Sequence, residues 1–240
     1  MRLWGALCIG VASTIGGGAG FGTALISTPL LLLVGFPVPE VVVISLAASL
    51  VTRVVVIMRL REHITWRRVA LLGLGSIPGA WLGAETVNVL PEHYLKLAAG
   101  LLVVLCGMRL AIPSRTQRRT PTATAELVTG AVGGFLSTTT SLNGPPPVLL
   151  FSRARIPPLP FIADLAGYFV VTNTLSLAIL WFRSELPQAV LGPVLPACVT
   201  AALIGNLTGL RVARRLPATV FRSSVIALVI IAGVLTVVTA

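Results

Sequence analysis

The sequence predicts an all-α integral membrane protein built from two inverted repeats, each with one broken, re-entrant helical hairpin and three transmembrane helices. Three observations predict it. The 240 residues are 55% hydrophobic and only 10% charged, with a mean hydropathy of +0.96. Apolar runs fill the whole length. Two of those runs are interrupted by glycine and proline, one in each half of the chain.

A soluble domain carries about 25% charged residues. This chain has too few polar side chains to cover a water-facing surface, which excludes a soluble globular domain, disorder, and a single anchor on a soluble domain. At about 20 residues per helical span, the length holds roughly six to eight passes and little else. The net charge of +11 comes from 18 Lys and Arg against 7 Asp and Glu. Basic loops held at the cytoplasmic face account for it, and nucleic acid is excluded as a partner. Cys8, Cys106 and Cys198 lie in apolar runs without paired spacing and are expected as small core residues. His63 and His93 are far apart, so no metal and no cofactor is expected. Arg2 before an apolar run resembles a signal peptide, but no polar mature region follows. It is expected to be a retained first membrane element.

The apolar segments fall at 3–35, 41–60, 67–88, 93–112, 126–151, 160–182, 187–208 and 218–239. The first and fifth contain GVASTIGGGAGFG and GAVGGFLSTTTSLNGPPP. Glycine and proline at that density break a helix, and a bilayer tolerates a break only where protein or a cavity satisfies the freed backbone. The halves also match each other. Gly20-Phe21 answers Gly134-Phe135, Gly79 and Gly83 answer Gly205 and Gly209, Leu90-Pro91 answers Leu216-Pro217, and Gly107 answers Gly233. The first match has an offset of 114 and the others 126. The expected organisation is a first repeat over 1–112, a cytoplasmic linker over 113–124 and a second repeat over 125–240.

Charge decides between two topologies. Eight full spans put 11 basic residues inside and 7 outside. Treating segments one and five as re-entrant hairpins puts 15 inside, with only Arg2, Lys96 and Arg183 outside. Three full spans per half is an odd number, so the halves must be inverted, and both termini face outward. In such folds the substrate sits near the midplane on discontinuous helices.

The candidate site follows the breaks. Thr28 before Pro29, and Asn143 before Gly144-Pro145, are good N-cap types. Each hairpin is therefore expected to return as a short helix whose free N–H groups and positive end face the midplane, an anion site without charged side chains. The expected substrate contacts are Gly20, Gly22, Thr23, Ser27 and Thr28 in one half. In the other they are Ser137, Thr138, Thr139, Thr140, Asn143 and Gly144, with Ser13, Thr14 and Ser141 nearby. The alternative is that Ser, Thr and Gly only let helices pack closely.

The segments GGGAGFGTALISTPLLLLVGFP, GAVGGFLSTTTSLNGPPPVLL and ITWRRVALLGLGSIPGAWLGA together resemble the TauE/SafE family of sulfite exporters. The resemblance covers most of the chain. It implies transport of a small sulfur-containing anion such as sulfite, thiosulfate or a sulfonate. It maps signature positions onto Gly20, Phe21, Gly22 and Pro29, and onto Gly134, Asn143, Gly144 and Pro145. NGPPP departs from the family's pattern of two glycines before fewer prolines.

Three acids lie near or within spans: Glu40, Glu85 and Asp164. Asp164, the deepest, is a candidate proton carrier; the alternative is an ion pair with Arg153 or Arg155. Arg53 either attracts the anion or snorkels to the membrane edge. Tyr168 and Asn173, on the same segment as Asp164, are within reach of the cavity, but core packing is the stronger reading. The leading function is a secondary transporter, an exporter of a sulfur anion in a bacterial cytoplasmic membrane, with protons as a possible coupling ion. Alternatives are an anion channel or a permease for another small organic anion. An enzyme is excluded: there is no HExxH and no histidine placed to activate a membrane serine. A homodimer is left open.

Overall fold

A set of polar residues lies inside this protein beside its apolar core, while many large apolar side chains face outward. A computed structural model describes residues 2–19, 22–111, 120–183 and 192–213, with helical positions at 227, 230, 231 and 234. Every regular element among them is helical: α1 (Arg2–Ala19), α2 (Gly22–Leu33), α3 (Val38–Leu60), a 3-10 turn (Arg61–His63), α4 (Trp66–Val89), α5 (Glu92–Ala111), α6 (Ala123–Thr140), α7 (Pro145–Arg153), α8 (Pro158–Phe182) and α9 (Val194–Ala213). The interior holds Arg53, Glu126, Asp164, Asn143, Asn173 and a series of serines and threonines, while Leu74, Ile77, Leu82, Leu101, Leu105 and Ile204 face outward. All four tryptophans, Trp4, Trp66, Trp81 and Trp181, are exposed, as expected of anchors near a membrane surface. Val38–His63 and Pro158–Phe182 are long and apolar enough to cross a bilayer.

The two ends of α3 define the two ends of the molecule. At the first end, Ile9, Leu31, Phe36, Val41, Ile44, Leu180, Val194 and Cys198 form one apolar cluster. It gathers the start of α3, the ends of α2 and α8 and the starts of α1 and α9. At the second end, Ile57 and Leu60 from the end of α3 pack with Ile64, Val69 and Ala163. These residues bring in the starts of α4 and α8. The helices α3 and α8, which pack on each other, therefore run antiparallel.

The closest helix pairs are α4 with α6 and α1 with α9. Glycine makes both possible. A Cβ on Gly79 would lie 1.9 Å from the Ala131 carbonyl oxygen, and one on Gly209 would lie 1.9 Å from that of Thr14. Gly75 and Gly205 are similarly close to the Leu127 and Gly10 carbonyls, at 2.1 and 2.3 Å. Small residues at these steps let the backbones touch, which is how helices associate where lipid removes the hydrophobic driving force. The glycines matched by sequence, 79 with 205 and 83 with 209, thus do the same work on different neighbours.

A second equivalence joins α2–α3 to α7–α8. Gly35 (φ 92°) and Arg155 (φ 51°) both end their helices in the left-handed region. Phe36 N–H donates to Leu31 O and Gly35 N–H to Leu32 O, at 3.1 and 3.0 Å. Ile156 N–H donates to Phe151 O and Arg155 N–H to Ser152 O, both at 3.2 Å. This is a Schellman termination, in both cases followed by an extended proline, Pro37 or Pro157, that starts the next helix.

Several expectations are corrected here. The two connectors pair at an offset of 120, while the Gly20-Phe21 match to Gly134-Phe135 at 114 falls partly on residues outside those described. Gly134 is a packing residue whose Cβ would meet the Ser76 carbonyl at 2.4 Å. The breaks are also shorter than the glycine runs suggested, because α1 stays helical through Gly16–Gly18 and α6 through Gly133-Gly134. Thr28 is no N-cap: α2 starts at Gly22 and runs through Thr28 and Pro29. The N-cap of α7 is Gly144, not Asn143. Gly20, Phe21, residues 113–119 of the linker and nearly all of segment 218–239 lie outside the described residues.

Candidate anion site

With the polar groups inside, each must find a partner there or remain available to a ligand. Most find one. Ser27 Oγ on α2 meets Ser45 Oγ on α3 at 3.1 Å, and Thr28 Oγ1 meets Ser141 Oγ at 2.9 Å. Ser141 ends α6 in the left-handed region (φ 59°), which opens the turn toward Asn143. Asn143 Nδ2 donates to Asn173 Oδ1 on α8 at 2.8 Å and to Ser137 Oγ at 3.4 Å. Ser176 Oγ donates to the same Ser137 oxygen at 2.8 Å. Separately, Thr172 Oγ1 on α8 donates to Ser76 Oγ on α4 at 3.4 Å.

Arg53 is different. It is the sixteenth residue of α3, and only 1% of it is exposed. Nη2 donates to Thr23 Oγ1 at a long 3.4 Å, and the guanidinium carbon lies 6.0 Å from the Phe169 ring centre. Nε and Nη1 are buried with no hydrogen-bond partner. Snorkelling is thereby overturned, since the head group does not reach the surface. Asn173, 120 positions later on α8, is also fully buried, and its Nδ2 also lacks a partner. The partners repeat the offset: Thr23 bonds Arg53, and Asn143 bonds Asn173. Each half thus places a side chain with unsatisfied N–H donors on its long central helix, two nitrogens on Arg53 and one on Asn173, tied to a residue at the head of its hairpin's return.

The expected backbone donors are not available in the second half. Pro145, Pro146 and Pro147 fill the first three positions of α7 and have no N–H. The first N–H after them, on Val148, is spent on the Gly144 carbonyl at 3.2 Å. Donors at this end come from side chains instead.

Of the predicted contacts, Thr23, Ser27, Thr28, Ser137 and Asn143 fall in this polar interior. Thr138 donates to Ala80 O at 3.0 Å, and Thr139 and Thr140 donate to carbonyls of their own helix at 2.9 and 3.2 Å. These three hydroxyls are committed to backbone, two of them in the habit of threonine within helices. Thr138 and Thr139 also line a cavity of about 260 Å³ near the first end, with Val38, Pro39, Val42, Val87 and Leu180. Gly22 opens α2, and Gly144 caps α7.

Asp164 pairs with Arg68, not with Arg153 or Arg155, and its Oδ1 accepts the Thr65 N–H at 2.6 Å. Arg68 Nε also reaches Glu126 Oε1 at 3.3 Å, and its guanidinium lies 5.5 Å from the Phe151 ring centre. Glu85 pairs with Arg183 near the first end, and half of the Glu85 side chain is exposed. Sequence reasoning passed over Glu126 and Arg68. The signal was the spacing of a lone acid one turn into α6, behind a basic linker.

A family model described as sulfite exporter TauE/SafE matches residues 5–236. The probable sulfite/organosulfonate exporter TauE of Cupriavidus necator is 28% identical over 152 residues, which make up 60% of this chain and 59% of that protein's length. No solved structure matches.

Proposed function

The chain belongs to the TauE/SafE sulfite exporter family, membrane transporters rather than enzymes, and on that premise we propose that it exports a small sulfur oxyanion or sulfonate. The observation that carries this reading is the Arg53 guanidinium, buried with Nε and Nη1 unpartnered. An unpaired buried cation is costly, and an oxyanion on those two N–H groups would supply the missing charge in the fork geometry that arginine prefers. Thr23 and the free Asn173 amide supply neutral donors nearby in the fold. They hold an anion without binding it too tightly to leave.

The two halves act as inverted repeats, 1–112 and 125–240, with the linker 113–124 cytoplasmic and both termini outside. Antiparallel α3 and α8, the twin glycine contacts and the twin Schellman connectors support this. The anion sits between the halves, near the α3–α8 crossing, and rocking of one half against the other exposes it to each side in turn. The carrier resides in a bacterial cytoplasmic membrane.

The test is ligand-induced thermal stabilisation of the purified protein. Sulfite, thiosulfate and a short alkylsulfonate should raise the melting temperature, and acetate should not. Arg53→Gln should weaken apparent affinity by about 10- to 100-fold, the worth of a hydrogen bond to a charged group. No shift with any sulfur anion overturns the substrate class. An unchanged affinity in Arg53→Gln moves the site.

A further inference from the structure

We infer that Arg68, Glu126 and Asp164 form a proton-binding site and that Glu126, not Asp164, holds the proton. The three side chains come from α4, α6 and α8 and meet at the second end. Glu126 is 2% exposed and Asp164 is fully buried. Asp164 has both oxygens engaged, Oδ1 by the Thr65 N–H and Oδ2 by Arg68 Nη1. Glu126 has one oxygen on Arg68 Nε, while Oε2 is buried without a partner. From α4, Arg67 also acts on Glu126, and from α8 Asp164 does; with Arg68 these are the charged groups that act on it among the described residues.

Arg68 is the guanidinium bonded to both buried carboxylates, and Arg67 is exposed to the surroundings, so the buried cluster itself carries an excess negative charge. Such a charge is unfavourable unless it is neutralised. One proton neutralises it. The proton goes to the carboxylate with fewer donors, on the oxygen that makes no bond. The step is a simple association: a proton from water takes a lone pair of Glu126 Oε2 and forms O–H, and no existing contact need break. The charged pair between α4 and α6 becomes a neutral hydrogen bond, while Arg68 keeps its pair with Asp164. Protonation thus weakens a tie between the first and second halves. This assignment deepens the transport reading and rests on it for the coupling, but the protonation itself does not.

The experiment is a pH titration followed by infrared difference spectroscopy, with the full chain in phosphatidylethanolamine–phosphatidylglycerol vesicles and no anion added. Asp164 is the single aspartate of the sequence, so isotopic labelling separates the two carboxyls without mutation. A titrating carboxylic C=O band should move when glutamate side chains carry carbon-13 and stay when aspartate does. Glu126→Gln should abolish it. Should that variant not fold, Glu126→Asp should convert the band to one that responds to labelled aspartate. A band that follows labelled aspartate in the unmodified protein, persists in Glu126→Gln or never appears overturns the assignment. In the same vesicles, a thiosulfate gradient should move protons through the unmodified protein. Glu126→Gln should keep thiosulfate exchange and lose proton movement, and undiminished proton movement overturns the coupling. If thiosulfate does not move at all, the transport reading fails, and the infrared result still decides the proton site.

Discussion

Counted along the paired helices, Gly5, Ile44 and Val194 at the first end are the sequence counterparts of Glu126, Asp164 and Arg68 at the second, at offsets of 121, 120 and 126. The backbone alignment is that of the helix pairs themselves, since α1 and α6 each run 18 residues and seat against α9 and α4 through matched glycines. The chemistry is opposite. Ile44 and Val194 belong to an apolar cluster, whereas Arg68 is held between two buried carboxylates. Apolar contact is indifferent to pH and hardly changed by salt; a buried ionic cluster responds to protonation. A duplicated scaffold has no direction of its own. On the transport reading proposed above, the difference between the ends is where a direction can be written, in these three side chains.

The largest expected effect tests whether the scaffold is the same on both sides. Gly79→Val and Gly209→Val each push a branched side chain into a carbonyl that already lies 1.9 Å from the ideal Cβ position. Overpacking of this kind costs about 1–3 kcal/mol and more where backbone must move, so both variants should lose most of their folded, monodisperse protein. Gly10→Ala is the control, because its Cβ would sit 3.7 Å from the nearest atoms. It should melt within about 1 kcal/mol of the parent, the span of the glycine–alanine difference in a helix. A strong defect at 79 with none at 209 would break the equivalence.

The general character of this protein was legible in its sequence. Composition gave an all-helical membrane protein, and the two Gly/Pro-rich segments gave the family. The close helix contacts were legible in the glycines at 79, 83, 205 and 209, since a glycine that lets helices touch leaves a trace at fixed spacing. The hairpin register was not. In α6 the glycine of Gly134-Phe135 serves packing, while the structure pairs Pro37 with Pro157 behind the helix ends. Arg53 was ambiguous for a different reason. A lone arginine seven residues from a helix end can reach water or not, and only the neighbours on α2 and α8 decide it. Glu126 was hidden because an acid in a first turn already has a local reason to be there, the helix dipole.

The second end can be converted into the first. The triple variant Arg68→Met, Glu126→Leu, Asp164→Leu replaces the charges with apolar side chains. Such exchanges of a buried ion cluster are often neutral or stabilising by about 1–4 kcal/mol. The triple variant should melt at or above the parent. Arg68→Met alone leaves the buried Asp164 carboxylate uncompensated beside Glu126 and should lose about 3–5 kcal/mol. The Thr65 N–H, freed in the triple variant, lies at an exposed residue and can turn to water. Melting curves in detergent across pH distinguish the two outcomes. The parent should shift with pH more than the triple variant, which keeps the Glu85–Arg183 pair, and a triple variant less stable than Arg68→Met would show that the ends differ by more than charge.

The smallest expected effect separates two serine and threonine contacts that sequence alone treats alike. Thr28 and Ser137 are both buried hydroxyls in the polar interior. Thr28→Val removes one neutral hydrogen bond, worth about 0.5–1.5 kcal/mol, and its partner Ser141 Oγ still donates to the Thr140 carbonyl at 2.6 Å. Valine also keeps the shape, so the cost should fall at the low end of that range, and anion affinity should change by less than about 3-fold. Ser137→Ala removes an oxygen that accepts from both Asn143 and Ser176. Stranding a buried donor costs about 1–3 kcal/mol, and Asn143 would be freed to leave Asn173. Ser137→Ala should therefore be the less stable of the two and should weaken anion binding more. Equal melting points and equal affinities would mean that the polar interior works as a diffuse lining, in which no one hydroxyl positions the amides.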